Sequence, residues 1–249
     1  MSKKYLMEVR SKIRGVQPTP REKAQKRKSI YNTQLKVIGL TIPELKNINK
    51  VFSFYEKKPQ QILKIWDYIW KNSQVFEEKI QAILYYEKKM AIITYDEHWS
   101  TFASWLNGVD NWEHSDRLSR FYSHLLEKFP KNVYPTLKEW NKSENPWFRR
   151  QSIVSLVYYS SIRKTIIVKN KIFPLIKKLL KDDDYYVQKG IGWSLREVGN
   201  VYPTETIEFI EKNLKDISSI AFSPAVEKVS SSIKNKLKEQ RRNFRKQSK

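Results

Sequence analysis

The segment FEEKIQAILYY, residues 76–86, decides the fold class, because its apolar side chains recur at three- and four-residue spacing. That spacing places them on one side of an α-helix. The segment ILKIWDYIW, residues 62–70, shows the same pattern, and no convincing pair of alternating strands is found in the sequence. The best strand candidate, TIIVKN at Thr165 to Asn170, is short and lies between helical segments. The sequence therefore predicts an all-α protein.

A weak internal repeat links three of the helical segments. FEEKIQAILYY from Phe76, WFRRQSIVSLVYY from Trp147 and YYVQKGIGWSL from Tyr185 are separated by one or two multiples of about 36 to 38 residues, the range of two-helix solenoid repeats. One helix pair cannot bury its apolar face alone, so pairs stack into a curved array with a concave surface. We expect a single repeat domain over residues 1–249, with an irregular helical bundle as the alternative.

Proline and glycine mark the expected helix boundaries, since proline favours the first turn of a helix and glycine relieves a turn. The predicted breaks lie at Gly39, Pro43, Pro59, Gly108, Pro130, Pro146 and Pro203.

The charge of the chain points to a polyanionic partner. Lysine and arginine number 48 against 26 acidic residues, a formal net charge of +22, and cations bound to phosphates release condensed counterions. DNA, RNA and an anionic membrane surface remain open at this point. No stretch approaches the roughly 20 apolar residues that cross a bilayer, and the charged start MSKKYLMEVRSKIRG lacks the features of a secretory signal. We expect a soluble, intracellular protein.

Metal and thiol chemistry have little support. The chain contains no cysteine, and His98, His114 and His124 form no ligand motif. We expect neither a metal site nor a cofactor.

Both ends of the chain are strongly basic. In residues 1–36, and again in KNKLKEQRRNFRKQSK at residues 234–249, basic residues greatly outnumber acidic ones. These regions are interpreted as a basic N-terminal helical region and a basic C-terminal tail that bind phosphate, or as disordered tails. A solvated charged helix face is the alternative for the C-terminal run.

Four residues form the candidate site. Trp112 and Asp116 are four residues apart and share one helix face. Arg150 and Trp193 occur in repeat-like segments about forty residues apart, where stacking would bring equivalent faces onto one side of a solenoid. The alternatives are ordinary: tryptophan packing, Arg149 or Arg150 holding phosphate, and Asp116 paired within its helix to Arg117 or Arg120.

Together, NWEHSD, WFRRQSI and DDDYYVQKGIGWSLREVGNVYP resemble the AlkD family of bacterial DNA glycosylases over about residues 76–211. The resemblance implies an all-α solenoid of HEAT-like helical repeats with a concave basic face for DNA. It implies that Asp116 is the catalytic carboxylate, that Trp112 and Trp193 are the cleft aromatic residues, and that Arg150, rather than Arg149, is the cleft arginine. The implied activity is hydrolysis of N3- and N7-alkylated purines from duplex DNA, which leaves an abasic site.

The N-terminal third departs from the family pattern. The segment GLTIP places Thr41 where some members carry a longer polar side chain, so Thr41 is the candidate DNA-binding residue at this position, and its shorter side chain removes a contact that those members make. A non-catalytic relative that binds bent, branched or damaged DNA is one alternative, and a helical-repeat scaffold for RNA or an acidic protein is another. No helix-hairpin-helix motif, catalytic lysine or iron–sulfur cysteines are seen, so lyase activity is not expected. We expect a bacterial cytoplasmic monomer that joins the nucleoid on binding DNA.

Overall fold

The computed structural model describes residues 2–16, 20–157 and 165–247, with side chains as far as residue 244. In these ranges the chain forms fourteen α-helices and three short 3₁₀ helices, and its sole β-feature is an isolated bridge between Lys36 and Val75. The prediction of an all-α fold is confirmed. The strand candidate at Thr165 forms none, since Lys169 and Asn170 already begin a helix.

The chain divides into two compact units, residues 1–121 and 122–249. The prediction of a single domain over residues 1–249 stays a prediction. The helices of the first unit are α1 Ser2–Arg14, α2 Arg21–Tyr31, α3 Ile42–Ile48, α4 Pro59–Asn72, α5 Phe76–Glu87, α6 Tyr95–Trp105 and the start of α7 Trp112–Lys128. Its 3₁₀ helices are Ser53–Glu56, Met90–Ile92 and Leu106–Gly108.

The second unit follows from the end of α7. Its helices are α8 Pro130–Trp140, α9 Pro146–Val154, α10 Lys169–Lys178, α11 Tyr185–Gly199, α12 Pro203–Lys212, α13 Ser219–Ala225 and α14 Ser231–Gln247. Helix α11 is central here, because it packs against α9, α12 and α13.

Proline begins the helices as the sequence predicts. Pro59, Pro130, Pro146 and Pro203 each open a helix, and Pro43 lies in the first turn of α3. The missing N–H of proline costs nothing there, because the first-turn N–H groups have no partner inside the helix.

Helix α5 is buried on all sides from Phe76 to Tyr86, including its polar residues. Buried polar groups need partners. Glu78 forms a two-point ion pair with Arg10 of α1, with Nε–Oε1 and Nη2–Oε2 distances of 2.8 and 3.2 Å. The carboxylate of Glu77 accepts hydrogen bonds from the backbone N–H groups of residues 38–39. These bonds attach α1 and the segment before α3 to α5.

Both units join helix pairs through a buried asparagine amide. In the first unit, Asn49 at the end of α3 donates to Gln81 Oε1 of α5 at 2.7 Å. In the second unit, Asn141 at the end of α8 donates to Ser152 Oγ of α9 at 2.8 Å. The shared join agrees with the helical repeat that the sequence predicts.

The basic ends are helical within the described residues. Helix α1 buries Tyr5, Leu6, Val9 and Ile13, so it belongs to the core of the first unit and is not an arm. Helix α2 buries no residue, and four of its cations are exposed: Arg21, Lys23, Lys26 and Lys28. The C-terminal run forms α14, whose Leu237 is fully buried. The interpretation of residues 234–249 as a tail is therefore replaced, as far as residue 247, by a docked helix.

In the part of the chain that the structure describes, no helix combines the length and apolar character needed to cross a membrane.

Gly192 sets how closely α11 approaches α13. A Cβ at this position would lie 2.5 Å from the Ala221 carbonyl oxygen and would overlap the Pro224 ring. Backbone atoms cannot yield as a flexible side chain can, so any larger residue must push the helices apart.

We expect Gly192→Ala to lower the free energy of unfolding by about 1–3 kcal/mol through overpacking. Gly199→Ala, whose Cβ would meet only Thr206 at 3.6 Å, is the control and should lie within about 0.5 kcal/mol of wild type. Urea denaturation measures both. Equal stability of the two variants would contradict the close approach.

Candidate functional site

Each of the two units contains three of the six predicted site residues. Thr41, Trp112 and Asp116 belong to the first, and Arg149, Arg150 and Trp193 belong to the second. Their convergence on one surface stays a prediction, and the surroundings of each group are described separately.

Helix α7 places Trp112 and Asp116 one turn apart. Asn111 precedes the helix, and its Oδ1 accepts a hydrogen bond from the His114 backbone N–H at 2.9 Å, which fixes the start of the helix. Trp112 is the first helical residue, so Asp116 shares its face. Both side chains are half-buried, so each keeps part of its surface in solvent.

The Trp112 indole is held by the end of α2. Its Nε1 donates a hydrogen bond to the Ile30 carbonyl oxygen at 2.9 Å. The Tyr31 ring meets the indole edge-on, with 5.8 Å between centroids, and itself stacks on Phe76 at 4.4 Å. A hydrogen bond and an edge-to-face contact together fix the orientation of the indole plane.

Asp110 connects the segment after α2 to the start of α7. Its carboxylate accepts hydrogen bonds from Thr33 Oγ1 at 2.7 Å, from the Gln34 backbone N–H at 2.8 Å and from Asn111 Nδ2 at 2.8 Å. Burial acts to raise the pKa of Asp110, but these hydrogen bonds outweigh it, so the pKa is lowered from its ordinary value. Asp110 thereby joins the segment after α2 to Asn111, the residue before Trp112, although no sequence pattern singled it out.

The cations that follow Asp116 in α7 pair with glutamates. Arg117 Nε lies 2.6 Å from Glu113 Oε1, and its Nη1 lies 2.9 Å from Glu87 Oε1. Arg120 Nη1 lies 3.5 Å from the same Glu87 oxygen. Glu87 and Glu113 therefore supply counter-charges to both arginines.

Thr41 caps α3. Its Oγ1 accepts a hydrogen bond from the Glu44 backbone N–H, while Glu44 Oε2 accepts from the Thr41 backbone N–H and hydroxyl, each at 2.6 Å. The hydroxyl is therefore used inside the helix cap. The hydrogen bonds from Thr41 also lower the pKa of Glu44. A DNA contact by Thr41 stays a prediction.

The two neighbouring arginines of α9 have different surroundings. Arg149 forms a two-point ion pair with Asp182, with an Nη2–Oδ1 distance of 3.0 Å, and its Nη1 donates to the carbonyl oxygens of Ser143 and Glu144. All three guanidinium nitrogens thus join α9 to the segment before it and to the segment between α10 and α11. The sequence RR does not indicate which of the two arginines does so.

Arg150 lies along the start of α11. It is buried, and its Nη1 donates a hydrogen bond to the Tyr186 carbonyl oxygen at 2.7 Å. A Cβ at position 190 would lie 3.0 Å from that nitrogen and 3.2 Å from Arg150 Cγ. Glycine at position 190 therefore makes room for the arginine side chain.

Further aromatic residues lie beside Arg150. The Trp147 ring stacks on Tyr186 with centroids 5.0 Å apart and planes at 29°, and both rings are half-buried. Trp193 is also half-buried and lies two turns further along α11. Neither Trp147 nor Tyr186 is among the predicted site residues, although both lie in the segments that carry the resemblance.

His98 and His114 pack with aromatic rings. His114 stacks on Phe76 at 4.5 Å, and His98 meets Tyr86 edge-on at 5.6 Å. Burial lowers the pKa of both, that of His114 to about 3, so both imidazoles are neutral at pH 7. They act as core residues of the first unit.

The comparisons with known proteins agree with this fold. A family model described as DNA alkylation repair enzyme matches residues 18–229, and the chain belongs to that family. A protein described as a predicted DNA alkylation repair enzyme from Enterococcus faecalis is similar in structure, with a TM-score of 0.72 and 17% identity over 86% of this chain and 97% of that one. AlkD2 from Streptococcus mutans is similar with a TM-score of 0.58 and 17% identity, over 93% and 100% of the two chains.

At this identity the two structures support the fold alone. No sequence match was found among curated proteins.

We expect Asp110→Asn to destabilise the protein at pH 7 by about 1.5–3 kcal/mol, the range for hydrogen bonds to a charged group. Because the folded-state pKa of Asp110 is lowered, its contribution is fully present above its unfolded pKa of about 4 and is lost as pH falls through the folded value. Urea denaturation between pH 7 and pH 3 should show the difference from wild type shrinking only at the acid end.

Asp96→Asn is the matched control, since Asp96 is exposed on α6. It should change stability little at any pH. A loss in Asp110→Asn that is independent of pH would contradict a role for the ionised carboxylate.

Proposed function

We propose that the protein is a monofunctional DNA glycosylase that releases N3- and N7-alkylated purines from duplex DNA and leaves an abasic site. The observation that carries the proposal is the pair formed by Trp112 and Asp116, half-buried, one turn apart on α7, with the indole fixed by Ile30 and Tyr31. Membership of the DNA alkylation repair enzyme family and the net charge of +22 support DNA as the partner.

One carboxylate suffices for this chemistry. Alkylation at N3 or N7 leaves the purine positively charged, so the base departs without protonation by a general acid. Ordinary glycoside hydrolysis needs two carboxyl groups, one of them that acid. The remaining barrier is positive charge developing on the deoxyribose, which Asp116 would stabilise while orienting the attacking water.

The tryptophans would favour a cationic lesion. An indole face attracts a cation by about 0.5–2 kcal/mol, depending on how far the pair is removed from water. In Trp112 the hydrogen bond to Ile30 holds the ring before DNA arrives, so little ordering cost remains on binding. Trp193 would supply the second indole. This attraction gives modest selectivity, and the lability of the charged base supplies the rest.

Arg150 would hold a phosphate beside the lesion, the role that the family resemblance implies. Its Nη1 is anchored on the Tyr186 carbonyl oxygen, so α11 sets the position of this guanidinium. Arg149 bonds Asp182 and backbone carbonyls through Nε, Nη1 and Nη2, so we assign it to holding α9 in place.

Thr41 favours a second candidate function. Because its hydroxyl is engaged in the cap of α3, Thr41 would supply a weaker DNA contact than the longer polar side chain that some family members carry at this position. A DNA-binding protein without base excision is therefore the alternative, and it predicts tight binding with no released base.

We expect Asp116→Asn to keep DNA affinity and to slow release of 7-methylguanine and 3-methyladenine from methylated duplex DNA by at least about a hundredfold, the usual cost of losing one preorganised electrostatic group. Single-turnover assays with excess protein measure this rate, and Asp96→Asn should match wild type. Full activity of the Asp116 variant would refute the assignment. Absence of release from wild type, beside tight binding, would favour the non-catalytic alternative.

We expect the exposed cations of α2 to contact DNA phosphates. The double variant Lys23→Gln, Lys26→Gln should weaken duplex binding and reduce the slope of log K against log salt by about 0.9 for each contact removed. The control Lys58→Gln, Lys64→Gln makes the same charge change at exposed positions before and within α4. If the two double variants show the same slope of log K against log salt, α2 makes no specific contact with the DNA.

A further inference from the structure

A basic groove lies between α13 and α14 in the second unit. Its volume is about 460 Å³. Phe222 and Val226 form its apolar floor, and two serine hydroxyls, Ser219 and Ser223, lie at its edge. The remaining lining residues are Lys234, Lys238, Arg241 and Arg242, and none of the described lining residues is acidic.

The four cations follow one face of α14. Their positions, i, i+4, i+7 and i+8, are neighbours on a helix surface. From Lys234 to Arg242 the helix rises about 12 Å at 1.5 Å per residue. The result is a row of positive charge, and a row suits an extended anion better than a single ion.

The groove is built on a fixed base. Arg241 is only 9% exposed and its guanidinium lies 4.6 Å from the centre of the Phe222 ring, with Nη2 3.5 Å from Ser219 Oγ. The positions of α13 and α14 are therefore joined through this arginine, while Lys238 and Arg242 remain exposed.

The opposite face of α14 fastens the helix to the unit. Lys236 Nζ lies 3.0 Å from Glu211 Oε1, Leu237 is fully buried, and Lys215 Nζ lies 4.9 Å from the Phe244 ring centre. Glu211 is therefore paired with Lys236, which does not line the groove.

We propose that this groove binds the phosphodiester backbone of DNA. One strand of B-DNA carries a charge about every 3.4 Å, so a basic row about 12 Å long spans several successive phosphates. Hydroxyl groups such as those of Ser219 and Ser223 donate to phosphate oxygens in many such contacts. Helix α14, Ser231–Gln247, lies beyond residues 18–229, which the family model matches, whereas the groove residues of α13 lie within that range. The proposal rests on DNA as the partner and needs no base release.

The test is the affinity of the full chain for a short undamaged duplex, measured by fluorescence anisotropy over a range of salt concentrations. We expect the double variant Lys234→Gln, Lys238→Gln to bind roughly tenfold more weakly at low salt and to show a salt slope smaller by about 1.8, for two lost phosphate contacts. Arg241 is left intact because it is buried on Phe222.

The control Lys177→Gln, Lys178→Gln removes the same charge from the exposed end of α10. If the control loses less duplex affinity and less salt slope than the groove variant, a local site is supported. If both variants lose the same amount, net charge alone explains the binding and the proposal is overturned. A second result would also overturn the proposal: equal duplex affinity of wild type and groove variant, with only wild type binding inorganic phosphate or vesicles that contain phosphatidylserine.

Base release separates this inference from the proposed glycosylase. At saturating protein the groove variant should release bases at the wild-type rate, because the groove residues are not assigned to the chemistry. If wild type releases no base but the groove variant still binds undamaged DNA more weakly, the glycosylase proposal fails and the groove stands.

Discussion

The complete burial of α5 is the constraint on which the first unit depends. A helix with Glu77, Glu78, Lys79 and Gln81 removed from solvent is stable only if every one of these groups is matched. Their partners come from α1, from the segment before α3, from α3 itself and from the turn at Gly108. Satisfying the polar groups of one helix therefore fixes the positions of four other segments, and the aromatic core of Trp66, Trp70 and Trp105 fills the space around them.

The Trp112 indole of the candidate site is positioned by contacts with this core. Phe76, the first residue of α5, stacks on Tyr31, and Tyr31 meets the edge of Trp112. Asp110 completes the arrangement by joining the segment after α2 to the start of α7. The indole proposed to attract a cationic lesion is thus held by packing and hydrogen bonds that exist before any ligand binds, which is the kind of support a preorganised site needs.

In the second unit, packing determines the surroundings of two charged side chains. Arg149 and Arg150 are adjacent and chemically identical, but their surroundings differ. Arg149 is paired with Asp182, whereas the Arg150 side chain occupies the space that the absence of a Cβ at Gly190 leaves. Their distinct surroundings follow from the close packing of α11 against α9. Gly192 of the same helix allows α13 to pack closely, and α13 forms the basic groove with α14. Two glycines of α11 therefore determine the space for Arg150 and the position of α13.

The sequence by itself determined the helical class, the proline-marked helix starts and the pairing of Trp112 with Asp116, because each depends on contacts within a few residues of the chain. It also indicated a polyanionic partner through the net charge, which can be counted without a structure. The roles of Asp110, Arg149 and Arg241 depended on partners 77, 33 and 22 residues away. Spacing along the chain carries no information about such partners, so the tertiary structure alone decided which charged side chains hold these elements together.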